Sequence, residues 1–297
     1  MRVLIVGCGY VGLALGTELV KQGHEVFGLR RCASGLEELQ AAGIKPLQGD
    51  ITRPGDLTQL PAPFHWVVNT VSSRTGGVEG YREVYFRGTR HLVDWLAPTP
   101  LQKFVYTSST SVYGQTDGSL VKEDAPTQPA SATSQVLVEA EKLLFEAARE
   151  RKFPAVVLRV AGIYGPGRGH YFLQYLRNEA RIPGQGERLM NMIHRDDLVN
   201  VLITALRSGR AGEVYNAADD EPIAQIHFFR WLSETLGKEM PPFTQVEETA
   251  EARRGLTQKR VSNRKLRMEL GVRLKYPTFR QGYTAEIQRL DQAGLLD

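Results

Sequence analysis

Long hydrophobic runs, cysteine and one-sided charge are what this chain of 297 residues lacks. No stretch of eighteen or more apolar residues occurs, so no segment has the length of a membrane-spanning helix. Two cysteines, Cys8 and Cys32, are too few for a disulfide framework or a cysteine metal site. No internal repeat and no low-complexity segment is present. With 37 Lys and Arg against 33 Asp and Glu, the net charge is only +4, so charge alone gives little reason to expect a nucleic-acid partner. The first strand begins at once, leaving no room for a signal peptide, and both thiols read as free. A reducing cytoplasm is the expected location.

The basic excess is nevertheless uneven. Arg253, Arg254, Lys259, Arg260, Arg264, Lys265, Arg267, Arg273 and Lys275 crowd one stretch, opposed only by Glu251 and Glu269. Three readings stand: a solvated helix face, a rim for an anionic substrate, or a nucleic-acid patch. The last lacks aromatic interleaving.

What is present is concentrated at the N-terminus. Val3-Leu4-Ile5-Val6 makes a short buried strand, and Gly7, Gly9 and Gly12 follow at G-x-G-x-x-G spacing. Beyond Gly12 the period turns helical, with Leu13, Leu15, Leu19 and Val20 apolar and Gly23 closing the helix. Gly7 permits the tight turn, Gly9 admits a pyrophosphate to the backbone of Tyr10 and Val11, and Gly12 lets helix and strand approach. The helix N-terminus offers unpaired N–H groups to phosphate. A nicotinamide or flavin dinucleotide is the ligand this turn predicts.

The second strand, His24 to Leu29, ends in Arg30-Arg31. A carboxylate there would accept hydrogen bonds from the adenosine ribose. An arginine pair suits a 2′-phosphate instead, so NADP(H) is expected ahead of NAD. Asp50, after a third strand (Ile44 to Leu47), suits either the adenine amino group or a helix cap. The fourth strand runs into Asn69-Thr70-Val71-Ser72-Ser73, and Thr70, Val71 and Ser72 are expected to line the cofactor. A helix from about 81 to 96 and a fifth strand (Lys103 to Thr107) lead to Ser108-Ser109-Thr110-Ser111-Val112-Tyr113-Gly114. A helix from about 134 to 151 and a sixth strand (Ala155 to Val160) follow. Alternating strands and helices predict an α/β fold, a Rossmann-type doubly wound parallel sheet, with ligands at the carboxyl ends of its strands. After about residue 168 the alternation loosens. Residues 1–168 are read as the dinucleotide-binding domain and 169–297 as a smaller, interwoven C-terminal substrate lobe.

Ser108 to Gly114, Leu158-Arg159-Val160-Ala161-Gly162-Ile163-Tyr164-Gly165-Pro166-Gly167, Ile193-His194-Arg195-Asp196-Asp197-Leu198-Val199 and Tyr215-Asn216-Ala217-Ala218-Asp219 stand in order along nearly the whole chain. In these segments the chain resembles the extended short-chain dehydrogenases, which include the nucleotide-sugar epimerases and dehydratases. The resemblance implies hydride transfer at nicotinamide, a small hydroxyl or carbonyl substrate such as a nucleotide sugar, and a homodimer pairing the helices near 81–96 and 134–151. It departs at two places. The glycines follow G-x-G-x-x-G rather than G-x-x-G-x-x-G. Anchored on Glu141-Lys142-Leu143-Leu144, Thr133 stands where the family's catalytic tyrosine is expected and Leu137 where its lysine is expected, while the serine survives as Ser109. The chain therefore resembles the atypical group that keeps the fold without the Tyr-x-x-x-Lys pair. A threonine hydroxyl is too weak an acid to replace that phenol. Tyr113 and Tyr164, both just past strand ends, become the candidate proton carriers with Ser109. His194 is a lesser candidate, its segment being expected to cap a helix through Asp196 or Asp197. The alternative to an enzyme is a non-catalytic NADP(H)-binding redox sensor.

Overall fold

The computed structural model describes residues 1–73, 77–245 and 257–296. Seven parallel strands form its central sheet: β1 (Arg2–Val6), β2 (Glu25–Arg30), β3 (Lys45–Gln48), β4 (Trp66–Asn69), β5 (Lys103–Ser109), β6 (Ala155–Val160) and β7 (Val214–Ala217). Their order across the sheet is β7-β6-β5-β4-β1-β2-β3. The order reverses at β1, whose Val6 pairs with Leu29 of β2 on one side and Asn69 of β4 on the other. That reversal opens the crevice in which doubly wound sheets bind ligands.

The strands read as near-continuous apolar runs because helices cover both faces. On one face α1 (Tyr10–Lys21) and the helix Arg195–Ser208 bury Leu15, Leu19, Leu198 and Leu202 against Val3, Ile5 and Val68. On the other, the run from Gly77 to Leu96 and the helix Ala132–Arg151 bury Leu92, Leu96, Ala140 and Leu144 against Leu4, Val67 and Phe104. The expected helix near 81–96 contains a π-helical segment, Arg82–Arg87. A third core is aromatic and lies apart from the sheet, with Phe172, Tyr175, Phe228, Phe229, Phe279 and Tyr283.

A boundary at residue 168 does not divide the molecule in space. After residues 162–194 the chain returns, and the helix Arg195–Ser208 packs on α1 while β7 pairs with β6. Sheet and aromatic core are both built from segments on either side of residue 168.

Among the described residues, no helix is long and apolar enough to cross a membrane, and no group of three or more His, Cys, Asp and Glu could hold a metal ion.

Candidate functional site: the cleft at the sheet reversal

A cleft of about 1630 Å³ opens over the carboxyl ends of β1, β2 and β4. Gly7 makes its floor possible. Its φ of +76° is open to glycine at little cost, and a Cβ there would lie 2.8 Å from the backbone of Val71. Gly12 is equally constrained, since a Cβ would meet Ile5 Cγ2 at 2.9 Å. Thr70 braces the turn by donating its hydroxyl to the Val6 and Gly7 carbonyls at 3.1 and 3.0 Å. α1 then starts at Tyr10 with no side-chain cap. Its first N–H groups, beginning with that of Tyr10 in the cleft wall, have no intrahelical acceptor, which is the donor set a dinucleotide phosphate requires.

Arg30 closes the cleft at the end of β2. Nε donates to the Cys8 carbonyl at 2.6 Å, Nη1 to the Gly35 carbonyl at 2.8 Å, and Nη2 pairs with Glu38 at 2.9 Å. Arg30 is therefore half-buried scaffolding for the glycine turn, while Arg31 and Cys32 stand exposed beside it. Burial pushes the Cys8 thiol up to about 12, against the opposing pull of Arg30. Asp50 lines the cleft, but one carboxylate oxygen accepts from the backbone and hydroxyl of Thr52. The short helix beyond it, Pro54–Thr58, has Arg53 at its N-cap rather than Asp50.

Gly7, Gly9, Tyr10, Arg30, Arg31, Asp50, Val71 and Ser72 all line this cleft. Val11, Gly12 and Thr70 are not in its wall; Gly12 and Thr70 shape the turn from behind. Sequence reasoning passed over Pro166, Arg195 and Asp196, which complete the wall from a distant part of the chain. Arg195 and Asp196 lie in the His-Arg-Asp-Asp signature, so a signal was present.

The candidate proton carriers sit elsewhere. Ser109 ends β5, and its Oγ accepts from the Ser111 N–H at 3.1 Å. Tyr113 and Tyr164 are 0% and 1% exposed, and neither lines the cleft. The Tyr113 hydroxyl donates to Asn216 at 2.8 Å and accepts from Arg159 at 2.8 Å. Arg159 in turn forms a buried ion pair with Glu141, which also accepts from Ser108. Tyr164 stacks on Tyr283 with ring centroids 4.4 Å apart, and burial raises its pKa further above the ordinary phenol range. Both rings are packed into cores, Tyr164 into the aromatic one and Tyr113 beside Val112, Val121 and Leu137.

His194, not Asp196 or Asp197, is the N-cap of the helix Arg195–Ser208, its Nδ1 accepting from the Asp196 N–H at 3.2 Å. Burial pulls its pKa down to about 4, keeping the ring neutral and able to accept. Asp197 instead accepts from the N–H groups of Lys275 and Tyr276, tying the C-terminal segment to that helix. In the basic stretch, Arg253 and Arg254 lie outside the described residues. Lys265 and Arg267 pair with Glu213 and Asp220. Lys259 is buried, donating to the Tyr113 carbonyl.

A parallel sheet that reverses at a glycine turn, with an uncapped helix start over a deep cleft, defines a dinucleotide-binding α/β protein. The chain belongs to the NAD dependent epimerase/dehydratase family, whose model matches residues 3–218. It is 27% identical to Protein YeeZ of Escherichia coli K12 over 285 residues, covering 93% of this chain and 96% of that protein. A conserved protein of unknown function from Silicibacter pomeroyi has the same fold, with a TM-score of 0.82, 29% identity and coverage of 98% and 99% of the two chains. The dTDP-glucose 4,6-dehydratase of Bacillus anthracis, solved in complex with NAD, superposes with a TM-score of 0.85 at 18% identity over 98% of this chain and 97% of that one. At that identity the likeness is one of fold alone.

Proposed function

We propose that this protein is an NADP(H)-dependent oxidoreductase or epimerase/dehydratase acting on a nucleotide-sugar-like or other small hydroxyl or carbonyl substrate, with a proton relay other than a Tyr–Lys pair. The observation that carries the reading is the cleft itself. A glycine turn with no room for a side chain, unpaired helix N–H groups and two arginines at the end of β2 fit a phosphorylated dinucleotide. When bound, such a cofactor supplies a hydride donor or acceptor. The chain's own residues hold its phosphates and ribose. Arg30 spends its donors on Cys8, Gly35 and Glu38, so the 2′-phosphate falls mainly to the exposed Arg31.

Leu137 is buried and carries no proton, and Thr133 at the tyrosine position joins a chain of hydroxyls. Its Oγ1 lies 3.1 Å from Ser131, which reaches Ser134 at 2.9 Å, which reaches Ser111 at 3.0 Å. These groups position a substrate hydroxyl better than they ionise. That favours a second reading in which the protein binds NADP(H) without turnover and reports its redox state to a partner.

Titration with NADPH and NADH tests the first half: tighter binding of NADPH supports the reading, and no binding of either removes it. A screen of carbonyl and nucleotide-sugar substrates for NADPH oxidation tests the second. Turnover that Ser109→Ala abolishes supports the enzyme. Binding with no turnover across the screen supports the sensor.

A further inference from the structure

Two guanidinium groups stand over the start of α1 and have no part in the cofactor reading so far. The Arg168 and Arg195 Cζ atoms lie 5.0 and 5.3 Å from the Tyr10 ring centroid. Tyr10 is the first residue of α1, inside the glycine turn, and both Tyr10 and Arg195 line the cleft. The Tyr10 hydroxyl is buried with no hydrogen-bond partner among the described residues. Arg195 is oriented by its neighbour, with Nε and Nη2 both donating to one Asp196 oxygen at 3.0 and 2.9 Å. That leaves the Nη1 edge of the fork without an acceptor among the described residues. Arg168 is exposed, and its own backbone closes a tight turn with Gly165 through two hydrogen bonds of 2.8 and 3.0 Å. Among the described residues Arg168 has no ion-pair partner. Two cations held on one ring repel, and the ring offsets only part of that. An anion at the helix N-terminus beside them would relieve it.

We propose that Arg195, supported by Arg168, receives the diphosphate of the dinucleotide, completing from a remote part of the chain the phosphate site that the glycine turn begins. The inference rests on the cofactor reading above and deepens it. Backbone N–H groups of α1 hold one side of the diphosphate, and the Arg195 fork holds the other. The Tyr10 ring is the surface on which both arginines are laid down. A nucleotide-sugar substrate carries the same diphosphate chemistry, but Arg195 shares a wall with the glycine turn, which assigns it to the cofactor.

The test compares wild type, Arg195→Ala, Arg195→Lys and Arg168→Ala by calorimetric titration with three probes. NADPH carries the diphosphate and 2′-phosphate, adenosine 2′-monophosphate carries only the latter, and UDP mimics the substrate's diphosphate. The expected result is NADPH binding weakened by about 10- to 100-fold in Arg195→Ala, less in Arg168→Ala and Arg195→Lys, with adenosine 2′-monophosphate unchanged. NADPH affinity unchanged in Arg195→Ala overturns the inference while leaving the cofactor reading intact. Equal losses for NADPH and adenosine 2′-monophosphate also overturn it, since they mark a general distortion. A loss confined to UDP moves the arginines to the substrate and overturns the cofactor assignment. Wild-type protein that binds neither NADPH nor adenosine 2′-monophosphate removes the cofactor reading and this inference with it.

Discussion

The carboxyl ends of β1 and β2 and those of β5 and β6 lie on one edge of one sheet, yet they treat their polar groups in opposite ways. At β1 and β2 the donors face outward: the first N–H groups of α1 are uncapped, and Arg31 is exposed. At β5 and β6 they face one another. Ser108, Glu141, Arg159, Tyr113 and Asn216 form a closed, buried network. Unspent donors over a cleft mark a binding site, whereas spent ones mark a rigid support. The lesson is that residue type at a strand end does not by itself separate the two.

Substitutions break or sharpen that contrast, and the largest effects belong to its two extremes. Gly7→Val should abolish measurable NADPH binding, a loss of at least ~100-fold, because its Cβ meets Val71 backbone and its φ is positive. Titration checks it, with circular dichroism confirming the fold. At the other extreme, Glu141→Gln should cost about 3–5 kcal/mol of stability by leaving the Arg159 charge buried and unmatched. Denaturant unfolding measures this. The double replacement Glu141→Leu with Arg159→Met should cost much less, and equal costs would refute the argument.

Between the extremes stands the arginine pair. Arg31→Ala should lower the preference for NADPH over NADH by about 10-fold or more, while Arg30→Ala should weaken both cofactors together because it loosens the turn. A ratio unchanged in Arg31→Ala would sink the 2′-phosphate role.

The smallest effect is a pH dependence at His194. Its pKa falls from 6.5 to about 4 on burial, so the unfolded chain binds a proton that the folded chain refuses. This site's contribution is fully present above about pH 6.5 and is lost as pH falls toward 4, at most about 2–3 kcal/mol. Asp219 runs the other way, its carboxyl raised by burial and so favouring the fold as pH falls. The difference in unfolding free energy between wild type and His194→Gln isolates the histidine. It should narrow between pH 6.5 and 4, and a difference constant across that window would refute the assignment.

Much of the sheet was legible because its strands are short apolar runs separated by helical periods. The glycine turn was legible because three glycines at fixed spacing leave few alternatives. The direction a side chain takes was not: Tyr113 and Tyr164 follow strand ends, as cleft residues do, but turn into cores assembled from Asn216 and Tyr283, more than a hundred residues later. Arg195 was hidden for the same reason, since only folding brings it beside Tyr10. The final helix, Phe279–Gln292, went unread although Thr278 and Gln281 carry the capping-box spacing that announces it.

The late arrival of β7 bears on how the protein is made. β6 is buried along its whole length, and one of its edges is covered by a strand that emerges from synthesis more than fifty residues afterwards. A nascent or truncated chain ending near residue 168 therefore presents Ala155–Val160 as an open, apolar template for any passing strand. Such a fragment is a hazard for aggregation, and a useful cofactor-binding module cut from this protein must extend through Ala217.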